Sequence, residues 1–249
     1  MNTRRILRAA AWAVAIGISQ AALAATVGPS PYTAQAESPF GGVDFSGGYF
    51  HIENFEDELL NVPGVTASAG SPFAPGGITD SVDADDGALD GSGTAGTSFF
   101  SGSGATGISF TFDASVLGSL PTHAGIVWTD GSGTIQFEAF DNEGASLGTI
   151  GPFSETGSPD DNFNGGTAED RFFGFGDAPN GISRIFISNT AGGIEVDHLQ
   201  FGSGTAVSPP PPPPPPGVIP LPAPLWAGMA MFAAVGAAYR RITRRPRRD

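Results

Sequence analysis

The stretch RIFISNTAGGIEVDHLQF, Arg184–Phe201, decides the fold class. Ile185 and Ile187 alternate with Arg184, Phe186 and Ser188, which is the period of a strand with one buried face. After the turn signal Gly192-Gly193, Ile194 and Val196 share one parity, and Leu199 and Phe201 share the other. All four reach the same buried face only if a bulge near Asp197–His198 adds a residue.

Similar alternation recurs along the chain. Ile108, Phe110 and Phe112 alternate with Ser109, Thr111 and Asp113, and Ile135, Phe137 and Ala139 alternate with Gln136, Glu138 and Phe140. Further strands are predicted over 49–56, 97–101, 124–129, 146–153 and 169–175. They are separated by turn signals such as Asp141-Asn142-Glu143-Gly144 and Pro179-Asn180-Gly181. No segment before the C-terminal region carries a helical period with caps. The pattern predicts an all-β domain, a jelly-roll-like two-sheet β-sandwich. The run 63–96 is rich in Gly, Ala, Ser and Asp with little periodicity, and reads as a functional loop or a loosely ordered one.

Charge is partitioned by position. Of 11 arginines, Arg4, Arg5 and Arg8 open the chain and six lie between Arg240 and Arg248; only Arg171 and Arg184 fall between, and lysine is absent. The segment between those ends holds 24 acids against these two bases. Such a surface repels phosphates, which excludes nucleic acid as a partner and leaves cations or high salt as the environment it suits. With no cysteine there is no disulfide, thiolate ligand or cysteine nucleophile.

Both ends read as addresses. Arg4, Arg5 and Arg8 precede an apolar run over 9–18 that is short for a membrane span. Ala22 and Ala24 then supply the small residues of a signal-peptidase site, predicting cleavage after Ala24. At the other end, Ser208 is followed by eight prolines, Pro209–Pro216, a stiff spacer of about 25 Å in polyproline II. An apolar run over 221–239, with Trp226 and Tyr239 near its edges, reads as a single transmembrane helix, and the arginines over 240–249 stay cytoplasmic.

Ile219-Pro220-Leu221-Pro222-Ala223, the hydrophobic run and the arginine-rich end together resemble the VPLPA-type PEP-CTERM sorting tails, with Ile219 where that pattern usually has Val. The resemblance implies an exported protein of a Gram-negative envelope. Its tail would be read by an exosortase-like membrane protease, and its setting would be an exopolysaccharide-producing surface. Arg171–Gly174, Ile182–Ser188 and Gly193–Leu199 resemble the closing strands of jelly-roll ectodomains found ahead of such tails, with His198 in place of a usual Asn. The expected organisation is a signal peptide over 1–24, a lead-in over 25–48, the β-sandwich over 49–202, a Gly/Ser/Pro linker over 203–217 and the sorting tail over 218–249, its motif at 218–223.

Three chemistries are open to the domain. Calcium wants several oxygen ligands. Asp80, Asp83, Asp85, Asp86 and Asp90 crowd one loop, while Glu53, Glu56 and Asp57 sit by the first expected strand and Asp197 by the last. Glu53, Glu56, Asp197, Asp83, Asp85 and Asp86 are the candidate ligands, set against a merely solvated acidic surface. Sugar binding would use aromatic faces, and Trp128 and Tyr49 are the candidates, Trp128 reading equally as core. Glycoside hydrolysis needs two carboxylates. Glu195-Val196-Asp197-His198-Leu199-Gln200 nearly matches the E-x-D-x-x-E strand of jelly-roll glucanases, but Gln200 stands at the acid/base position. The three histidines, His51, His123 and His198, come with no serine-nucleophile elbow and no zinc-ligand spacing. The sequence therefore predicts a non-enzymatic domain with a structural, adhesive or exopolysaccharide-associated role, and a secreted glycoside hydrolase as the alternative.

Overall fold

A computed structural model describes residues 23–76, 79–154 and 165–206. The described residues all belong to one compact unit. The polyproline run, the sorting motif and the apolar run over 221–239 lie outside the described residues, as does most of the signal segment. Among the described residues no helix is long and apolar enough to cross a membrane.

This unit is mostly β-sheet. Its strands are β1 (Ala25–Pro31), β2 (Val43–Glu53), β3 (Val65–Ala67), β4 (Ser71–Phe73), β5 (Ser98–Ser101), β6 (Ile108–Phe112), β7 (His123–Phe140), β8 (Ser146–Phe153), β9 (Arg171–Gly176) and β10 (Arg184–Ala206). A single helical turn, α1 (Ala114–Leu117), starts where the Asp113 side chain accepts from Ser115 N–H. It stops at Gly118, which takes the left-handed conformation a helix end favours in glycine.

Two long antiparallel strands organise the rest. β7 pairs along its whole length with residues 184–202 of β10. The start of β10 carries β6, which carries β3. The end of β10 carries β2, and β7 carries β8 at one end and β9 with β1 at the other. With β5 on the middle of β10 and β4 on β5, the hydrogen-bonded ladder passes unbroken through ten strands. Its two halves nevertheless face one another. Phe137 of one half stacks on Phe173 and Phe175 of the other at 6.3 and 6.0 Å, and Phe112 lies 4.9 Å from Phe201. Each such ring contributes about 1.5–3 kcal/mol by leaving water.

The bulge required by the parity of β10 is present. Its pairing to β7 slips between Asp197 and Gln200, and His198 has φ 41°. Ile194, Val196, Leu199 and Phe201 consequently all reach the main core. The strands predicted over 124–129 and 135–140 are one strand, and so are those at 184–188 and 194–201. Gly131, Gly133 and Gly192, all at positive φ, let the chain bend there without breaking the ladder.

The expected lead-in over 25–48 belongs to the domain. β1 pairs with β9, and Tyr32 and Phe40 enter a second core with Val82, Val127 and Phe172, so the outer face of this half is also dry. The domain likewise extends past 202, because β10 pairs with β2 as far as Ala206.

Candidate functional site

Alternation sends Glu195 and Asp197 to the face opposite Ile194 and Val196. There they meet the loop over 79–97. Asp80 N–H donates to Glu195 and Val82 N–H to Asp197, at 3.3 and 3.0 Å, and the Ser98 hydroxyl also donates to Glu195. The loop lies tight on itself: Ser81 N–H donates to Gly93 O at 2.9 Å, and a Cβ on Gly93 would sit 2.0 Å from Ser81 O. From residue 79 on, the run that lacked periodicity is therefore an ordered cover over the last strand, while β3 and β4 occupy part of its start. Its order comes from backbone and carboxylate hydrogen bonds, which leave no periodic trace in sequence.

Opposite Glu195 in the ladder stands Asp130, on the same face. One carboxylate oxygen from each of Asp80, Asp130 and Glu195 lies within 4.8 Å of the other two. Behind them is Asp170, fully buried just before β9; both its oxygens lack a hydrogen-bond partner among the described residues. Burial, and then the neighbouring Asp80, Glu169, Asp197 and Asp130 carboxylates, push Asp170 well above the usual carboxylate range. Burial, only partly offset by the Ser98 and Asp80 hydrogen bonds, pushes Glu195 up to about 8.

A second group joins Asp85, Asp197 and His198. His198 Nε2 is 2.9 Å from Asp85 and Nδ1 is 2.8 Å from the Tyr32 hydroxyl, which also accepts from Gln200 at 2.9 Å. Burial opposes the imidazolium, but the Asp197 and Asp85 carboxylates hold His198 above its ordinary value. Burial raises Asp197. With both ring nitrogens engaged, this group is a hydrogen-bonded lock between loop and strand.

The sequence-predicted ligands separate accordingly. Asp85 and Asp197 meet in the lock, and Glu56 feels both Asp85 and His198 while accepting from Thr97 N–H at 2.6 Å. Glu53 closes another loop, accepting from Asn61 and Val62 N–H at 2.9 and 3.0 Å. Asp83 accepts from Asp90 and Gly91 N–H, and Asp86 from Ala88 N–H. These three brace turns and do not converge on one point. Asp130 and Asp170 went unmarked, since only strand register brings them to the loop.

Beside the acids opens a cleft of about 410 Å³, with Asp130 and Glu195 among its lining residues. Its apolar side is the ring pair Phe73 and Phe100, centroids 5.6 Å apart, with Phe73 42% exposed. Its rim includes Gly131, Ser132, Gly192 and Gly193. Asn189 pins that rim by donating to Ser132, Ala191 and Gly193 carbonyls at 3.0, 2.6 and 2.9 Å. The aromatic candidates from sequence lie elsewhere. Trp128 is 4% exposed and packs in the main core. Tyr49 donates to Ser119 O at 2.8 Å and packs against His51 and Phe201. The overlooked signal was the doublet Phe99-Phe100, whose alternation buries the first ring and turns the second outward.

No family model and no curated protein matches the chain. Among solved structures it is similar to a xylan-binding domain from CBM 22, at 13% identity and TM-score 0.34 over 65% of this chain and 98% of that one. A C-terminal family 22 carbohydrate binding module of Clostridium thermocellum Xyn10B gives 14% and 0.34 over 66% and 99%. The enzymatically active domain of bacteriophage CBA120 tailspike protein 4 gives 15% and 0.26 over 72% and 22%. Likeness at this level concerns β-rich architecture alone.

Proposed function

We propose that this protein is exported and sorted to the cell envelope, and that its jelly-roll-like β-sandwich binds glycan there without catalysis, in an adhesive or exopolysaccharide-associated role. The observation that carries the binding reading is the cleft, which sets the Phe73–Phe100 pair beside the Asp130 and Glu195 carboxylates. A sugar presents an apolar ring face and a rim of hydroxyls. Rings that stack and oxygens that accept are the complement it needs, in a cavity of the size small ligands use. Export is supported by the n-region arginines and by the first strand, which begins at Ala25, the residue after the expected cleavage. The tail motif and the arginine cluster support the sorting step.

The reading is tested by affinity electrophoresis of the full chain, purified in detergent, through gels containing xylan, mannan or polygalacturonate. Retardation by at least one polysaccharide, reduced about tenfold in affinity by Phe100→Ala, supports it. Equal mobility in all gels contradicts it.

Glycoside hydrolysis is favoured by one observation: Glu195, raised to about 8, is a protonated acid at neutral pH on the cleft wall. Against it, both Glu195 oxygens already accept hydrogen bonds from Ser98 and Asp80. Its nearest carboxylate oxygens lie within 4.8 Å, too close for the roughly 6.5–9.5 Å of inverting enzymes and near the roughly 5–5.5 Å of retaining ones, so the spacing restricts the hydrolytic reading to retention. Release of reducing sugar from the same polysaccharides, abolished by Glu195→Gln, would establish the hydrolytic reading.

A further inference from the structure

We infer that the floor of the cleft is a calcium site formed by Asp80, Asp130 and Glu195, and that the bound cation takes two adjacent hydroxyls of a neutral sugar as its remaining ligands. The second half of this inference rests on the glycan-binding reading; the first half does not.

The geometry fits a hard cation. Calcium binds oxygen at about 2.3–2.6 Å, so oxygens on opposite sides of the ion stand up to about 5 Å apart. The separations within this trio, all under 4.8 Å, fall inside that limit. Magnesium, at about 2.1 Å with a strict octahedron that dehydrates reluctantly, suits three protein carboxylates less well than calcium does.

An independent observation points to the same place. Asp170 is fully buried, its two oxygens have no hydrogen-bond partner among the described residues, and its neighbours are the carboxylates of Asp80, Glu169, Asp197 and Asp130. A buried carboxylate without a donor costs several kcal/mol, and more beside like charges. Arg184, one of two bases between the chain ends, lies over the Phe140 ring, and the other, Arg171, spends guanidinium donors on the carbonyls of Ala168 and Asp170. A divalent cation in front of Asp170 compensates this charge. The neighbouring Asp85–Asp197–His198 group does not compete for the ion, since Asp85 and Tyr32 occupy both imidazole nitrogens.

The position of the trio decides the ligand. Asp130 and Glu195 belong to the floor and to the cleft at once, so an ion there faces the cleft while the Phe73–Phe100 pair offers a ring platform beside it. Calcium needs six to eight oxygens, more than three carboxylates supply through one oxygen each. Three carboxylates, ionised when they ligate the cation, against two positive charges leave the loaded floor negative. A uronate or phosphate is therefore repelled, and a neutral vicinal diol is the oxygen pair that fits.

Two measurements on the full chain in detergent separate the two halves. The first is calorimetric titration with calcium chloride alone. One site per chain, weakened at least tenfold by Asp130→Asn and unchanged by the exposed Asp44→Asn, supports the cation site; no calcium binding by the wild-type chain overturns it, whatever the glycan result. Magnesium binding as tightly as calcium also overturns it. Circular dichroism checks that Asp130→Asn is folded, and if it is not, the wild-type titrations decide alone. The second measurement repeats the affinity gels with calcium and with EDTA. Retardation by xylan or mannan that falls at least tenfold in EDTA supports diol coordination. Retardation that survives EDTA overturns the coordination while leaving glycan binding standing, and preferential retardation by polygalacturonate overturns the choice of a neutral sugar.

Discussion

His198 Nε2 lies 2.9 Å from the Asp85 carboxylate, and this contact joins the Val82–Asp197 hydrogen bond in tying the bulge of the last strand to the loop that covers it. At φ 41° the residue is in the left-handed region, which Asn and His tolerate far better than β-branched side chains. His198→Val combines backbone strain with loss of the partner that Asp85 and Tyr32 share, and is expected to cost about 3 kcal/mol or more. His198→Asn keeps the backbone and loses only the hydrogen bonds, at roughly half that cost. Urea unfolding of the two variants measures the difference, and equal losses would mean the backbone conformation at 198 is immaterial.

Stability without divalent cations should fall as pH rises from about 4 to about 8, most cleanly above about 6.5. Glu195 titrates near 8 in the folded chain, and Asp170 and Asp197 are also raised by burial. An acid whose folded pKa exceeds its unfolded one, about 4, contributes stability fully present below the unfolded value and lost as pH rises through the folded one. His198, held up by Asp197 and Asp85 against burial, acts with the same sign. His123 opposes them, since burial lowers it despite Asp177, but its effect is confined to pH below about 6.5, where the unfolded imidazole gains its proton. Melting in EDTA across this range is expected to show a falling midpoint, and saturating calcium to flatten it.

Asn189→Ala should widen the cleft rim. The amide donates to three carbonyls at the bend of β7 and β10, on exposed and half-buried residues that water can reach, so its removal costs about 1 kcal/mol. Weaker glycan retention together with a lower melting midpoint is the expected pair of results.

Trp128→Phe should leave glycan retention unchanged, because Trp128 packs in the main core and not on the cleft. Phe100→Ala should do the reverse, with a smaller loss of stability than a core phenylalanine would show. Affinity gels and thermal melts on the same two variants report both effects.

Much of the fold was legible because alternation survives in the strands. β8 falls where its pattern predicts, and the parity break in β10 locates its bulge within two residues. β1 was illegible: Gly28, Pro29 and Pro31 interrupt any period, and Val27 is its one large apolar side chain. Of the site, Asp80, Glu195 and Asp197 could be seen from the loop composition and from their shared strand face. Asp130 and Asp170 could not, since their meeting depends on how β7, β9 and β10 register against one another, and local sequence does not encode register. Glu53, Asp83 and Asp86 lie on separate turns for a physical reason. A carboxylate two to nine residues from backbone N–H groups braces a turn as readily as it binds an ion.

The most direct test of the carboxylate floor is the melting midpoint of the wild-type chain and of Asp170→Asn at pH 8, each in EDTA and in excess calcium. In EDTA the amide removes a buried acid that must either hold its proton or carry an uncompensated charge, and the variant should melt several degrees above wild type, at about 2–4 °C per kcal/mol for a domain of this size. In calcium the wild type should gain about 2.7 kcal/mol at a hundredfold excess over the dissociation constant while the variant gains less, so the order narrows or reverses. A variant that melts below wild type in EDTA and responds to calcium as wild type does would contradict the account.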